Sequence, residues 1–184
     1  MSATHTTLPG YDTHAVEDWI RRNVAGLSPP LTWTRLEGGH SNLTYLIEDT
    51  KGRRAVIRRP PQGELLPKAH DMAREWALIS ALGPTPVPVP AALGFCADIA
   101  VTGAQFYVMG HIDGHPLYHS DDTRKWVKDE NRQRLAFSFI DVLADLHAVH
   151  GPRVVRRAVG QRLPDHQEVV LPRPQRGRVV GRRL

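Results

Sequence analysis

Leu36-Glu37-Gly38-Gly39-His40-Ser41-Asn42 is the stretch whose residue types could do chemistry. Two glycines let the backbone turn sharply and leave its N–H groups uncovered by any Cβ. Bare N–H groups at a hairpin tip can close over an anion, and phosphate is the usual one. A plain hairpin turn is the competing reading, because Gly-Gly is a common hairpin connection. Glu75 is a second candidate. Its neighbours at helical spacing are Met72, Leu78 and Ile79, which puts a carboxylate at the edge of an apolar stripe. A solvated acid with a snorkelling stem is the alternative there. His111, His115 and His119 are spaced by four and could share a helix face as metal ligands. Gly110, Gly114 and Pro116 break any helix at that point, so loop histidines are expected instead. Cys96 falls within a strand and reads as a small core side chain rather than a nucleophile. His147 reads as a packed or capping residue that closes a helix.

Hydrophobic periodicity supplies the elements that would position these groups. Residues 1–12 read as a loose lead, and Asp12 or Thr13 caps a helix over about 13–24. Val16, Trp19, Ile20 and Val24 share one face of that helix, and Ser28-Pro29-Pro30 ends it. Strands over 31–37 and 43–48 flank the glycine turn. Asp49-Thr50-Lys51-Gly52 makes a second turn, and Arg54 to Arg59 forms a third strand. In that strand Val56 and Arg58 point one way, Ala55 and Ile57 the other. After a Pro-containing loop, His70 to Leu82 reads as a helix with Met72, Trp76 and Ile79 on its stripe. The Pro84 to Pro90 run is an extended connector. Strands follow at Ala92 to Cys96 and Gln105 to Met109. Asp121-Asp122-Thr123 caps a short helical turn containing Trp126. A long helix from about Asn131 to His150 is expected to bury Leu135, Phe139, Val142, Leu143, Leu146 and Val149. Trp19, Trp76 and Phe139 read as core aromatics. Five strands with one helix inserted after the third predict an α+β fold, an antiparallel sheet packed on a helix.

Composition narrows the class. A chain of 184 residues is about one domain, and its 41% hydrophobic content is ordinary for a soluble fold. The single Cys96 excludes an internal disulfide framework and suits a reducing cytoplasm. The N-terminus has no apolar core of a signal peptide, and no run is long enough for a membrane span. The net charge of +5 is unevenly placed. Residues 1–150 carry 15 Lys+Arg and 17 Asp+Glu (−2), whereas residues 151–184 carry 9 Arg, one Asp and one Glu (+7). The basic character belongs to the last 34 residues, so the overall pI does not argue for nucleic-acid binding.

The ordered set of motifs resembles the small lobe of the aminoglycoside phosphotransferase family, which has a protein-kinase-like fold. The likeness is strongest to the branch fused to acyl-CoA dehydrogenases. It is carried by Glu37-Gly38-Gly39-His40-Ser41-Asn42-Leu43-Thr44-Tyr45, by Val56-Ile57-Arg58-Arg59-Pro60-Pro61 and by Leu65-Leu66-Pro67. Ala69-His70-Asp71-Met72-Ala73-Arg74-Glu75-Trp76, Phe106-Tyr107-Val108-Met109 and Leu146-His147 complete it, over about residues 30–150. The resemblance implies that Gly38, Gly39, His40, Ser41 and Asn42 cover the phosphates of a nucleotide. It places Arg58 on the α- and β-phosphates and makes Glu75 its helix partner. Val56 would line the adenine pocket. Tyr107, Val108, Met109 and His111 would form the hinge whose backbone reads the adenine edge. Arg58 stands where kinase-like enzymes usually keep lysine, a change from a point charge to a planar fork of donors. Gly110-His111 stands where the branch tends to have an acidic residue and an aromatic one.

The same resemblance says what the sequence lacks. Phosphoryl transfer in this fold uses a catalytic-loop base, an Asn a few residues on, and a further Asp for Mg2+. After His147 there is no Asn and only one Asp, Asp165, in a setting that does not match such a loop. The domain reading is an N-terminal helix and lead (1–30), a kinase-like small lobe (31–112), a connector and the start of a large lobe (113–150), and a tail (151–184). The tail is expected to be disordered, or out of frame from near Val149 or His150, with the C-terminal lobe mostly absent. The expected function is that of a truncated, cytoplasmic small-molecule kinase that moves the γ-phosphoryl of ATP to a hydroxyl. ATP and Mg2+ are the family's cofactors, and the Mg2+ ligands are missing from this chain. Its partners would be the nucleotide and a small hydroxyl acceptor, with neither membrane nor nucleic acid expected. The alternative is a non-catalytic nucleotide-binding or adaptor module whose basic tail contacts nucleic acid.

Overall fold

A computed structural model describes residues 7–36, 42–63 and 70–149 of the chain. Gly38, Gly39, His40 and Ser41 lie outside the described residues, as do Leu65-Leu66-Pro67, Ala69 and the segment 150–184. The element order is β1 (Thr7–Leu8), β2 (Tyr11–Asp12), α1 (Thr13–Asn23), β3 (Leu31–Arg35), β4 (Leu43–Asp49) and β5 (Arg54–Arg59). It continues with α2 (Met72–Leu82), β6 (Ala92–Cys96), β7 (Phe106–Gly110), α3 (Ser120–Trp126) and α4 (Asp129–Ala148). The fold is α+β, as expected. Strands β3 to β7 form one antiparallel sheet in the order β3-β4-β5-β7-β6, and β1 pairs with β2 in a small ribbon.

Each face of the sheet is filled by a different helix. Alternation along β5 sends Ala55 and Ile57 to one side, where they join Tyr45, Ile47, Phe106 and Val108 against Val16, Trp19 and Ile20 of α1. Aromatic edges lock this side. Trp19 meets Phe106 at 5.0 Å and 73°, and Tyr11 meets Tyr45 at 5.4 Å and 86°. On the other side Met72 and Trp76 of α2 pack on Tyr107, with Ile79, Ala92, Phe95 and Met109 around them. The helices start where side chains satisfy their open N–H groups. The Asp12 carboxylate accepts from His14 and Ala15 N, and Asp71 accepts from Arg74 N.

Residues 7–12 are not a loose lead. Tyr11 is fully buried, and Gly10, at φ +80°, sits where a Cβ would fall 2.4 Å from Leu43 Cδ1. Gly94 has a different reason. Its added Cβ would stand 3.0 Å from both Trp19 Cη2 and Val24 Cγ2, so glycine lets α1 lie close on β6. A second helix therefore covers the sheet face opposite α2, where the periodicity had promised only one packed helix.

Two expectations fail in the connector and the long helix. The cap of α3 is His119, and Asp122 acts from the third helical position by accepting from Tyr118 N and His119 N. In α4 the expected stripe is not buried. Phe139 is 71% exposed, Leu143 and Leu146 are each 42% exposed, and no side chain of α4 is buried among the described residues. Phe137 and Ile140, on the rest of the helix surface, are exposed as well. Periodicity reported a helix that suits burial, but among the described residues nothing covers its stripe well enough to bury it. Trp126 is half exposed and stacks flat on His115.

Candidate functional site

Strand β5 lies between β4 and β7, and its register decides which side chains meet on the α2 face. Arg58 stands opposite Thr44 and Tyr107, and Val56 opposite Leu46 and Met109. Arg58 and Val56 thus share this face with Tyr107 and Met109. Glu75 comes in from the first turn of α2. Arg58 Nε lies 3.1 Å from Glu75 Oε2, with both side chains 32% exposed. The Tyr107 hydroxyl donates to the same carboxylate oxygen at 2.9 Å. Burial, and next the Glu75 charge, push the Tyr107 phenol well above its ordinary pKa, so it remains a donor. A carboxylate at the edge of an apolar stripe is tolerated here because a cation and a hydroxyl both meet it.

Asn42, the last residue of the glycine stretch, lies beside this pair. Its carboxamide is 2.8 Å from His70 Nδ1. With its oxygen toward Arg58 it accepts from Nε at 3.0 Å and Nη2 at 2.7 Å, and its NH2 donates to His70. We assign that orientation because a guanidinium can only donate. The site is therefore a half-open cluster of Asn42, Arg58, His70, Glu75 and Tyr107, between the end of the glycine stretch and the start of α2.

The other sequence candidates are spread along β7 and just beyond it. The Val108 side chain is fully buried on the opposite, α1 face. Tyr107 and Val108 sit in a central strand paired with β5 and β6 on its two sides, so their backbone groups serve the ladder. Gly110 N also donates to Ala91 O at 2.8 Å. His111 is the first residue beyond the sheet, with Nδ1 3.6 Å from Asp113 Oδ1. Asp113 is also held by Arg54 Nη2 at 2.8 Å. Val56 is buried on the α2 face beside Met109. Two features of the cluster had no signal in the sequence. Neither the His70 imidazole nor the Tyr107 phenol carries a cue of spacing or periodicity. The Tyr107 phenol joins because strand order brings β7 next to β5, and His70 because α2 starts beside the end of the glycine stretch. Among the described residues no group of three or more His, Cys, Asp or Glu side chains could hold a metal ion. Cys96 is buried, and burial pushes its thiol up to about 11, which fits a core role.

Comparison with known proteins bears on this arrangement. The sequence matches the model of the phosphotransferase enzyme family over residues 32–178. The chain belongs to the phosphotransferase enzyme family. Acyl-CoA dehydrogenase family member 11 of Rattus norvegicus is 33% identical over 144 residues, covering 76% of this chain and 18% of that protein. The probable acyl-CoA dehydrogenase IBR3 of Arabidopsis thaliana is 33% identical over 159 residues, covering 83% of this chain and 19% of that protein. The chain thus spans less than a fifth of the length of these curated relatives. A crystal structure titled a "putative aminoglycoside phosphotransferase", from Ralstonia eutropha JMP134, superposes with TM-score 0.61 at 28% identity. The superposition covers 78% of this chain and 40% of that one. The described portion of this phosphotransferase-family chain accordingly has the architecture of a kinase-like N-terminal lobe. None of the helices among the described residues is long and apolar enough to cross a membrane.

Proposed function

We propose that this chain is the nucleotide-binding portion of a small-molecule kinase whose intact form moves the γ-phosphoryl of ATP to a hydroxyl. The observation that supports this most is the Arg58–Glu75 pair at 3.1 Å, on the face where the glycine stretch ends at Asn42. A cation held by a helix carboxylate under a glycine turn is the arrangement that steadies nucleotide phosphates in kinase-like sites. On this reading Gly38, Gly39, His40, Ser41 and Asn42 cover the phosphates. Nε and one N–H of Nη2 of Arg58 are directed to Glu75 and Asn42, and the Nη1 end of the fork faces the phosphate on this reading. Val56 and Met109 flank the adenine. The backbone that reads the adenine edge is displaced from Tyr107, Val108 and Met109, which the ladder occupies, toward His111.

Bound Mg2+ would neutralise the charge that develops between the phosphates. The residues of this chain do not fit it: residues 148–184 contain no Asn and a single aspartate, Asp165. The expected behaviour of the chain is weak nucleotide binding, or none, and no turnover. Calorimetry with ATP and an ATPase assay on residues 1–184 test this. Metal-dependent turnover at an enzyme-like rate would overturn it. The +7 charge of residues 151–184 favours one rival, an adaptor that binds nucleic acid through that segment. Binding to DNA or RNA that weakens steeply with salt would support the rival.

A further inference from the structure

Glu75 gives Arg58 an opposite charge, whereas Asn42 gives it direction. Two guanidinium nitrogens, Nε at 3.0 Å and Nη2 at 2.7 Å, donate to one carboxamide oxygen. A carboxamide has one accepting end and one donating end. With the oxygen committed to Arg58, the NH2 must face His70, 2.8 Å away. His70 Nδ1 can then only accept, and the proton of the neutral ring must sit on Nε2. Asn42 leads directly into β4, and His70 directly precedes Asp71, the cap of α2. The bridge therefore ties three elements together: the end of the glycine stretch, the entry to α2 and the cation on β5.

We propose that Asn42 and His70 are positioning residues for Arg58: the imidazole fixes the carboxamide, and the carboxamide fixes the guanidinium. The functional meaning rests on the reading of Arg58 as a phosphate ligand, but the geometry does not. An imidazolium at His70 would set an N–H against the Asn42 NH2. Relief requires turning the amide, which would bring its NH2 against the guanidinium. A charged His70 and a clamped Arg58 therefore exclude each other.

Histidine-resolved nitrogen NMR on the full chain tests the proposal without nucleotide, so its outcome is separate from whether ATP binds. In the neutral form His70 is expected as the Nε2–H tautomer. In Asn42→Asp, which removes the carboxamide donor to Nδ1, the proton is expected on Nδ1. Solvent exchange of the Arg58 Nε–H is expected to be about tenfold faster in His70→Ala. It should return toward the wild-type rate in His70→Asn, whose Oδ1 stands where Nδ1 stood. A merely structural His70 would give no such rescue. An Nδ1–H tautomer in the wild-type chain overturns the proposal even if the variants fail to fold. Equal Arg58 Nε–H exchange in the wild type, His70→Ala and His70→Asn overturns it too.

Discussion

Arg58 and Arg59 are consecutive residues of one strand, yet they sit in two different environments. Arg58 faces α2 and is one-third exposed, with a carboxylate beside it. Arg59 faces α1 and is 4% exposed. Its contacts are backbone carbonyls: Nη1 donates to Gly10 O and, at 2.6 Å, to Thr102 O, and Nε donates to Pro60 O at 3.1 Å. Tyr11 lies 5.8 Å under its guanidinium. Burial lowers the pKa of Arg59, but arginine keeps its charge in proteins. Arg59 closes a core by joining the β1–β2 ribbon to the β6–β7 loop. Arg58 is left half-open beside Glu75 and Asn42. The same residue type thus does structural work on the closed face and stays partly exposed on the open one. What separates them is a one-residue step in a pleat, which reverses the direction of the side chain.

The comparison predicts a graded set of effects. The largest belongs to the closed face. Phe106→Ala removes a fully buried ring that meets Trp19 and is expected to cost about 3–5 kcal/mol in denaturant unfolding. Arg59→Met should follow at about 3 kcal/mol, because it strands three carbonyl acceptors in the core. If Arg59→Met costs no more than Arg58→Met, the distinction between the faces is wrong.

Acid should also act on the closed face. Burial alone would raise the Asp49 carboxyl. Hydrogen bonds from Arg53 and Lys51 N, Arg53 Nε and Ser28 N outweigh that and bring it from 3.8 to about 2. A folded-state value below the unfolded one stabilises above the unfolded value, and that stability is lost as pH falls through the folded one. The wild-type chain should therefore lose stability between pH 3.8 and about 2, a loss that Asp49→Asn should reduce. Equal pH profiles for the two proteins would remove Asp49 from the explanation.

On the open face, Arg58→Met should change stability by less than about 1 kcal/mol, as half-exposed ion pairs do. Any nucleotide affinity that calorimetry detects should fall in the same variant. The smallest effect on stability is expected in α4. Phe139→Ser should lie within about 0.5 kcal/mol of the wild type. The same variant should lower the apparent mass in light scattering, since exposed apolar surface drives association. A wild-type chain that is a stable monomer would count against this last expectation.

Much of the fold was legible because the signals are local. Arg54 to Arg59 is a strand with the bounds read from sequence, and Asp12 caps α1 as expected. The facing of Val56 and Arg58 away from Ala55 and Ile57 needs only the pleat. The burial of Trp19 and Trp76 follows from helical spacing. Phe139 shows the limit of that argument. Spacing identifies a face that suits burial, but whether anything lies against the face depends on the rest of the fold.

The candidate site divides the same way. Arg58 and Glu75 were chosen by residue type and by the family's motif order, and both were properties of the sequence. Asn42, His70 and the Tyr107 phenol join them only because β7 enters the sheet between β5 and β6, and because α2 starts beside the end of the glycine stretch. Those contacts link residues 28 and 32 positions apart. Their existence depends on strand order and helix placement. By itself the chain determined its elements, their faces and the chemistry it carries. Tertiary structure decided which polar groups meet, because hydrogen bonds depend on distance in space and the local periods of the backbone do not encode it.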